Sequence, residues 1–208
     1  MPPAKPGRQA LFDTNVIFDT NALFDSGCIQ FGNFALKSGY TSPIRVDLWR
    51  TMSNPRLLRQ VARAMAGVAR DLAFDYIAPA PHASLPVGVA LALETGHPLV
   101  QMRRVADARH IVVEGSFNTG RTALLIDDLI IQGSDKLEAI AALKTAGLTV
   151  KDVLVMIDWE QGGVEKLAEQ GCHLHAVLQL TKVLEALMES TRITPAQHAA
   201  VLAYLREA

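Results

Sequence analysis

The sequence is poor in the features that mark secreted, membrane-spanning and strongly charged proteins. It has only two cysteines, Cys28 and Cys172, which stand far apart and lack the spacing of a metal site. Two core thiols in a reducing compartment, the cytoplasm, are therefore expected. No apolar run reaches the roughly 18 residues of a membrane-spanning helix, and the first residues lack the apolar stretch of a signal peptide.

The charge balance is close to neutral. A formal net charge of −1 over 208 residues gives no bulk field that would attract nucleic acid or an anionic membrane. Residues 1–10 are basic and rich in proline, which predicts a disordered N-terminus. Residues 11–208 are long enough to bury one sizeable core and are expected to form a single domain. We expect a soluble cytoplasmic protein without a nucleic-acid or membrane partner.

Strand and helix patterns alternate along most of the chain. Short apolar runs typical of buried strands are followed by segments with apolar residues at helical spacing. This alternation predicts an α/β domain with a mainly parallel central sheet. The strands are predicted at 76–80, 98–102, 123–128, 150–157 and 174–178, and the helices begin near residues 55, 87, 134, 163, 180 and 195.

The first fifty residues have a different pattern. Residues 28–37 predict a strand or hairpin with a turn at Gly32-Asn33, and residues 44–49 predict a second strand. Ahead of them, Phe-Asp-Thr-Asn occurs twice, at 12–15 and 18–21. The duplication favours a capped amphipathic helix, and an acidic patch that binds a cation is the alternative.

The most informative stretch is 122–137. A buried strand is predicted to end in two acids, Asp127 and Asp128, and a turn at Gly133 leads into a helix. This layout places carboxylates and free backbone N–H groups at the carboxyl edge of a parallel sheet, where α/β proteins bind ligands. The acids suit sugar hydroxyls and a Mg²⁺ carried by a phosphate, and the turn suits a phosphate. The alternative is an ordinary strand–turn–helix whose acids cap the next helix.

Residues 124–135 resemble the phosphoribosyl pyrophosphate motif of type I phosphoribosyltransferases. The resemblance extends over about residues 17–206 and narrows to the orotate phosphoribosyltransferases, with a spacing most similar to the orotate domain of animal-type bifunctional UMP synthase. The further matching blocks are FGNFALKSGYTSPIRVDLW, SNPRLLRQVA, HASLP, MRR, VEGSFNTG, IDWEQGG and LHAVLQLTKVLE.

This resemblance implies a fold and an activity. The fold is a parallel central sheet flanked by helices, with a small N-terminal hood formed mainly by residues 11–50 with the last strand region. The activity is transfer of phosphoribosyl from 5-phosphoribosyl 1-pyrophosphate (PRPP) to orotate, giving orotidine 5′-monophosphate and pyrophosphate in UMP biosynthesis, with Mg²⁺ as cofactor. The resemblance also implies a homodimer in which the loop 104–113 closes over the neighbouring subunit's site.

The resemblance assigns roles to individual residues. Asp127 and Asp128 match acids that hold the ribose hydroxyls and, mainly through the pyrophosphate, Mg²⁺. Lys37 matches a lysine beside the substrates, with an ordinary surface lysine as the alternative. In the loop, Arg104 matches an arginine that reaches pyrophosphate, and His110 matches the loop histidine if no gap precedes it. The expected phosphate turn consists of Ile131, Gln132, Gly133, Ser134 and Asp135.

The loop departs from the family pattern. Val105 and Ala108 stand where two lysines are expected, and Ala108 takes the place of the usual catalytic lysine. Loss of such a cation typically costs on the order of 10²–10³ in rate. Arg109 is one position away and can substitute if the register of the loop shifts.

Two further contact points also depart. In the turn, Ile131 lacks an expected hydroxyl, and Asp135 adds a negative charge near the 5′-phosphate, which is unfavourable unless it points outward as a helix cap or binds a cation. Trp159 replaces an arginine expected to bind the orotate carboxylate, and an indole cannot form that charge-assisted pair. Trp159 can stack on a flat base, and an exchange of roles with Arg45 is another alternative.

The sequence therefore leaves more than one function open. The first hypothesis is an active orotate phosphoribosyltransferase. The second is a catalytically impaired paralogue that binds nucleotide or PRPP as a sensor or partner subunit, because the departures cluster at three contact points. A phosphoribosyltransferase for a different base is the third, since family membership argues for a fold more firmly than for an activity.

Overall fold

The structure is a computed structural model that describes residues 18–35, 41–81, 83–105 and 110–207. The predictions for the first ten residues, the first Phe-Asp-Thr-Asn copy, Lys37, Ala108 and Arg109 lie outside these ranges. The strands within them are β1 (Ile29–Ala35), β2 (Thr41–Val46), β3 (Tyr76–Pro79), β4 (Gln101–Arg104), β5 (Ile111–Glu114), β6 (Thr122–Ile130), β7 (Thr149–Asp158) and β8 (His173–Gln179). The α-helices within them are α1 (Thr20–Asp25), α2 (Pro55–Ala69), α3 (Ser84–Thr95), α4 (Ser134–Thr145), α5 (Gly163–Ala168), α6 (Leu180–Glu189) and α7 (Pro195–Glu207).

The central sheet contains four parallel strands in the order β3-β6-β7-β8. Successive residues of β6 enter two different hydrophobic clusters, because side chains alternate between the faces of a strand. Leu124 and Ile126 join one cluster, whereas Ala123 and Leu125 join the other. A core therefore lies on each face of the sheet, as in α/β proteins. The prediction of a mainly parallel sheet flanked by helices is confirmed.

The strand β6 continues past the acid pair to Ile130, so the prediction that it ends at the acids was wrong. The physical reason is unequal pairing on its two sides. The neighbour β3 pairs with β6 only as far as Ile126, whereas β7 pairs with it as far as Ile130. Asp127 and Asp128 therefore lie where one edge of β6 has lost its neighbouring strand while the other edge remains in the sheet.

The N-terminal strands β1 and β2 form an antiparallel pair apart from the central sheet. The predicted turn at Gly32-Asn33 was wrong, because both residues lie inside β1, where the register shifts between Phe31 and Phe34. Such a bulge adds a residue to one strand and leaves it locally unpaired. The predicted strand 44–49 was also misplaced, since β2 ends at Val46 and a 3-10 helix covers Leu48–Ser53.

Capping residues set the beginnings of the helices. Asp19, in the second Phe-Asp-Thr-Asn copy, accepts a hydrogen bond from the Asn21 backbone N–H and caps the short α1. Asn54 caps α2 by accepting a hydrogen bond from the Leu57 backbone N–H, and Pro55 is the first residue of the helix, where its start was predicted. The helix α3 begins at Ser84, three residues before the predicted Val87. Among the described residues, no helix is long and apolar enough to cross a membrane.

The antiparallel pair β4–β5 carries the loop that the sequence singled out. The predicted strand 98–102 is divided here, because Leu99 bridges to Ile77 and β4 starts only at Gln101. The backbone N–H of Val105 donates a 3.1 Å hydrogen bond to the carbonyl of His110, which closes the base of the loop. Residues 106–109 lie outside the described ranges.

Candidate active site

Asp127 is the most enclosed acid of the pair on β6, with 6% of its surface exposed. Its Oδ1 accepts hydrogen bonds from the hydroxyl of Ser84, in the first turn of α3, and from the backbone N–H of Asp128 at 2.8 Å. Its Oδ2 is in contact with the ammonium of Lys136 on α4. Both carboxylate oxygens thus have partners within the protein. A ligand hydroxyl at Asp127 has to share an oxygen with one of these groups.

Asp128 occupies the next position on β6 and is only half-buried. Its Oδ1 accepts a 2.8 Å hydrogen bond from the backbone N–H of Leu129. Burial raises the pKa of Asp128 to about 7, and the negative charge of Asp127 is the second largest cause. Because a bound cation would favour the ionised form, Asp128 suits a site that receives Mg²⁺ or a sugar hydroxyl with its ligand.

The predicted phosphate turn borders a pocket of about 380 Å³. The N-cap of α4 is Gly133, whose φ of 80° is a conformation that glycine adopts without the strain other residues incur. The first backbone N–H groups of a helix have no intrahelical partner, so this helix start can bind an anion. The pocket is lined by Leu129, Ile131, Gln132, Gly133, Ser134, Asp135 and Lys136.

The charges at this pocket do not come from Asp135 alone. Lys136 Nζ lies 2.6 Å from Asp135 Oδ2, and the Lys136 side chain is 4% exposed. Burial lowers the pKa of Lys136, but the carboxylates of Asp127 and Asp135 outweigh it and leave the pKa raised. The helix α5 supplies a second cation at the pocket: Lys166 Nζ donates a 2.9 Å hydrogen bond to Ser134 Oγ. The structure combines the two alternatives to an unfavourable Asp135: its side chain is 67% exposed, and its carboxylate is paired with a cation of the protein itself, Lys136.

Sequence reasoning missed both Ser84 and Lys136. The sequence does contain a pattern that indicates a buried Lys136, because this lysine stands at helical spacing with the buried Ala139, Ile140 and Leu143. A lysine in such a series is either unpaired and costly or bound to an acid. Ser84 lies in the HASLP block that matches the family, but no local pattern pointed to its contact with Asp127, which lies 43 residues away.

Arg104 ends β4 at the base of the loop and lies beside α4. Its Nη2 is 2.8 Å from Glu138 Oε2, in an ion pair whose arginine side chain is 40% exposed. The neighbouring Arg103 instead pairs with Glu114 on β5. The role predicted for Arg104 at pyrophosphate, and those of His110, Lys37 and Arg109, stay predictions.

Trp159 follows the last residue of β7. Its backbone N–H donates a 2.9 Å hydrogen bond to the carbonyl of Ile130, and its ring, 6% exposed, belongs to the larger hydrophobic cluster. Little of the indole is therefore available to stack on a base. Arg45 lies over the ring of Phe34 at 4.8 Å and hydrogen-bonds Gln30, and neither contact supports an exchange of roles with Trp159.

Comparisons with known proteins agree on one family, although no protein-family model matches the chain. An orotate phosphoribosyltransferase of Caenorhabditis elegans is 34% identical over 182 residues, which cover 86% of this chain and 80% of that protein. A bifunctional enzyme PyrF/PyrE of a Nostoc species is 37% identical over 178 residues, covering 85% of this chain and 37% of that protein. The solved structure of Leishmania donovani UMP synthase matches with a TM-score of 0.84 and 41% identity, over 91% of this chain and 42% of its own.

The parallel sheet, the acid pair on its second strand and the turn at the start of α4 define a type I phosphoribosyltransferase fold. The chain belongs to the orotate phosphoribosyltransferase family. It spans less than half the length of the Nostoc and Leishmania proteins, which are 37% and 42% covered. The resemblance noted from the sequence motifs is confirmed.

Proposed function

We propose that this chain transfers phosphoribosyl from PRPP to orotate, which yields orotidine 5′-monophosphate and pyrophosphate in UMP biosynthesis. The observation that carries the proposal is the position of the acid pair on β6 directly before the pocket at the start of α4, in a chain of this family. In the reaction, a ring nitrogen of orotate gives up its proton and bonds to C1 of the ribose, while the C1–O bond breaks and its electron pair leaves with pyrophosphate, which can take up that proton.

The proposed roles follow from the geometry of the two halves of the site. Residues 131–135 bind the 5′-phosphate through the backbone N–H groups at the start of α4. Asp128, with fewer internal contacts than Asp127, is the main acceptor for the ribose hydroxyls. An oxocarbenium-like transition state is stabilised mainly by holding the leaving pyrophosphate and excluding water. By resemblance to the family, Arg104 and the loop 104–113, with Arg109 and His110, are assigned to contacts with that pyrophosphate, and Lys37 is assigned a role beside the substrates.

Mg²⁺ is the proposed cofactor. The described residues contain no group of three or more metal-binding side chains that could hold an ion by themselves. The two adjacent carboxylates of Asp127 and Asp128 nevertheless fit an ion that the substrate carries, because Mg²⁺ commonly binds through one or two carboxylates plus phosphates. The bound ion would neutralise charge on the pyrophosphate as it leaves.

The homodimer, the compartment and the domain limits are also proposals. A dimer in which each loop 104–113 closes over the other site predicts that size-exclusion chromatography with light scattering gives twice the chain mass of 22.5 kDa. The proposal of a cytoplasmic location is supported by the two buried free thiols, Cys28 and Cys172. We propose that residues 11–208 form one domain, in which residues 11–50 supply most of the hood. We also propose that the protein has no nucleic-acid partner.

Orotate loss, followed by its absorbance, tests the proposed activity. Purified protein receives Mg²⁺, PRPP and orotate, and parallel reactions omit each component in turn. We expect loss of orotate only in the complete mixture. An unchanged absorbance, together with no thermal shift by PRPP or orotate, contradicts the proposal.

A second candidate function is a catalytically impaired relative that binds PRPP or nucleotide as a sensor or partner subunit. The observation that favours it is the engagement of both Asp127 oxygens by internal partners, together with the burial of Trp159 where an arginine was expected. A thermal shift by PRPP without turnover on orotate selects this function. Turnover with another base in place of orotate selects a different acceptor.

A further inference from the structure

Lys136 connects the two halves of the site with a single ammonium group. Its Nζ contacts Asp127 Oδ2 on β6 and lies 2.6 Å from Asp135 Oδ2 in the first turn of α4. The lysine is a pocket residue, yet its side chain is 4% exposed. Burial of an ammonium costs free energy unless it is paired, and here two carboxylates supply the pairing.

The charges around this ammonium decide what its removal would do. Asp127 and Asp135 touch it directly, and Asp128 adjoins Asp127. Lys166 is a second cation at the turn, where it donates a hydrogen bond to Ser134. Without Lys136, two carboxylates would adjoin a site that has to receive a phosphate and a pyrophosphate. The buried carboxylate of Asp127 would repel these anions strongly, whereas water screens part of the charge of Asp135, whose side chain is 67% exposed.

We propose that Lys136 is a positioning residue for PRPP: it compensates the charge of Asp135 at the phosphate pocket and holds the Asp127 carboxylate in place. Binding of PRPP then depends on the ammonium, and part of that dependence arises from Asp135. This inference rests on the proposed function, because it takes the pocket at the start of α4 to be the phosphate pocket.

A double-mutant cycle over Lys136 and Asp135 tests the inference. Lys136→Met removes the charge and keeps an unbranched side chain, and we expect the KM for PRPP to rise about tenfold, as about 1.4 kcal/mol of lost binding predicts. Asp135→Asn alone removes a carboxylate whose charge the ammonium already compensates, so it should lower this KM by a smaller factor than it does in the Lys136→Met background. In that background, Asp135→Asn should recover a measurable part of the loss. Lys144→Met, an exposed lysine in the last turn of the same helix, is the matched control and should leave KM unchanged.

A purely structural role for Lys136 predicts a different pattern. Lys136→Met would then lower the melting temperature, and Asp135→Asn would not restore the KM for PRPP. That result, with an active wild type, overturns the inference and leaves the proposed function intact. If Lys136→Met alone does not fold, the pair Asp127→Asn and Lys136→Met removes both buried charges, and Asp135→Asn is compared within that background by equilibrium binding of PRPP.

The same binding measurement separates the two proposals when turnover is absent. Wild-type protein that binds PRPP without turnover contradicts the proposed transferase activity, and the cycle in PRPP affinity still decides the role of Lys136. Wild-type protein that does not bind PRPP overturns both.

Discussion

The hydroxyl of Ser84 donates a hydrogen bond to Oδ1 of Asp127, although 43 residues separate them in the chain. The two side chains are buried next to the point where β3 no longer pairs with β6, and Ser84 lies in the first turn of α3. The helix therefore positions the acid whose other oxygen contacts Lys136. This relationship ties the stability of the α3–β6 contact to the geometry of the acid pair.

Ser84→Ala is expected to destabilise the protein, because it leaves a buried carboxylate oxygen with one hydrogen bond fewer. Hydrogen bonds to charged groups contribute roughly 1.5–3 kcal/mol, so the free energy of unfolding should fall by that order. Urea unfolding followed by circular dichroism measures the change. Ser53→Ala, at the exposed end of the 3-10 helix, is the control and should change stability by less than about 0.5 kcal/mol. Equal stability of the two variants would show that the Ser84 contact does not restrain Asp127.

Asp128 makes stability depend on pH. Burial and the charge of Asp127 raise its folded pKa from 3.8 to about 7. A raised carboxyl pKa means that the folded state holds the proton more tightly than the unfolded state does. Proton binding therefore contributes to the stability of the fold below about pH 4, and this contribution is lost as pH rises to about 7. The loss has an upper bound of about 4 kcal/mol, because stability falls by about 1.4 kcal/mol for each pH unit between 3.8 and about 7.

Asp128→Asn removes that titration and provides the measurement. The wild type and the variant should have similar free energies of unfolding near pH 4, and the variant should be the more stable protein at pH 8. Urea unfolding at both pH values tests this. A stability difference that does not change between pH 4 and 8 would contradict a raised pKa. Addition of PRPP with Mg²⁺ should reduce the difference at pH 8, because a cation favours the ionised carboxylate.

Much of this site was predictable from the sequence, and what was missed has a physical cause. The apolar run before Asp127 predicted the buried strand, and Gly133 predicted the turn into α4, because both signals are local. The end of β6 was misplaced because its length depends on where β3 and β7 pair with it. The partners of Asp127 come from α3 and α4, and a contact across 43 residues leaves no local pattern. The burial of Trp159 likewise depends on packing that no single segment encodes.

Arg104 and Arg103 offer a matched test of the loop. Both are exposed arginines at the end of β4, with side chains 40% and 51% exposed, and each forms an ion pair with a glutamate. Arg104→Ala should lower kcat about 10²–10³-fold if it stabilises the leaving pyrophosphate, since that is the usual effect of removing one such group. Arg103→Ala should leave kcat within a few-fold. Steady-state kinetics measures both, and equal losses would assign the effect to the strand instead of to Arg104.

Trp159 occupies the position where the family pattern has an arginine, and its replacement tests whether an arginine fits there. Trp159→Arg should lower the free energy of unfolding by about 3 kcal/mol or more, because it places an unpaired charge where the indole is 6% exposed in the hydrophobic core. Val164→Arg, on the exposed side of α5, introduces the same side chain and should have little effect. Thermal unfolding compares the two. If Trp159→Arg is stable and binds orotate more tightly than the wild type, the arginine reaches the pocket, and the carboxylate of orotate is then bound at this position. If it is unstable, as we expect, an arginine does not fit at this position unless the residues that pack around Trp159 also change, and the proposed activity then requires another group to bind the carboxylate of orotate.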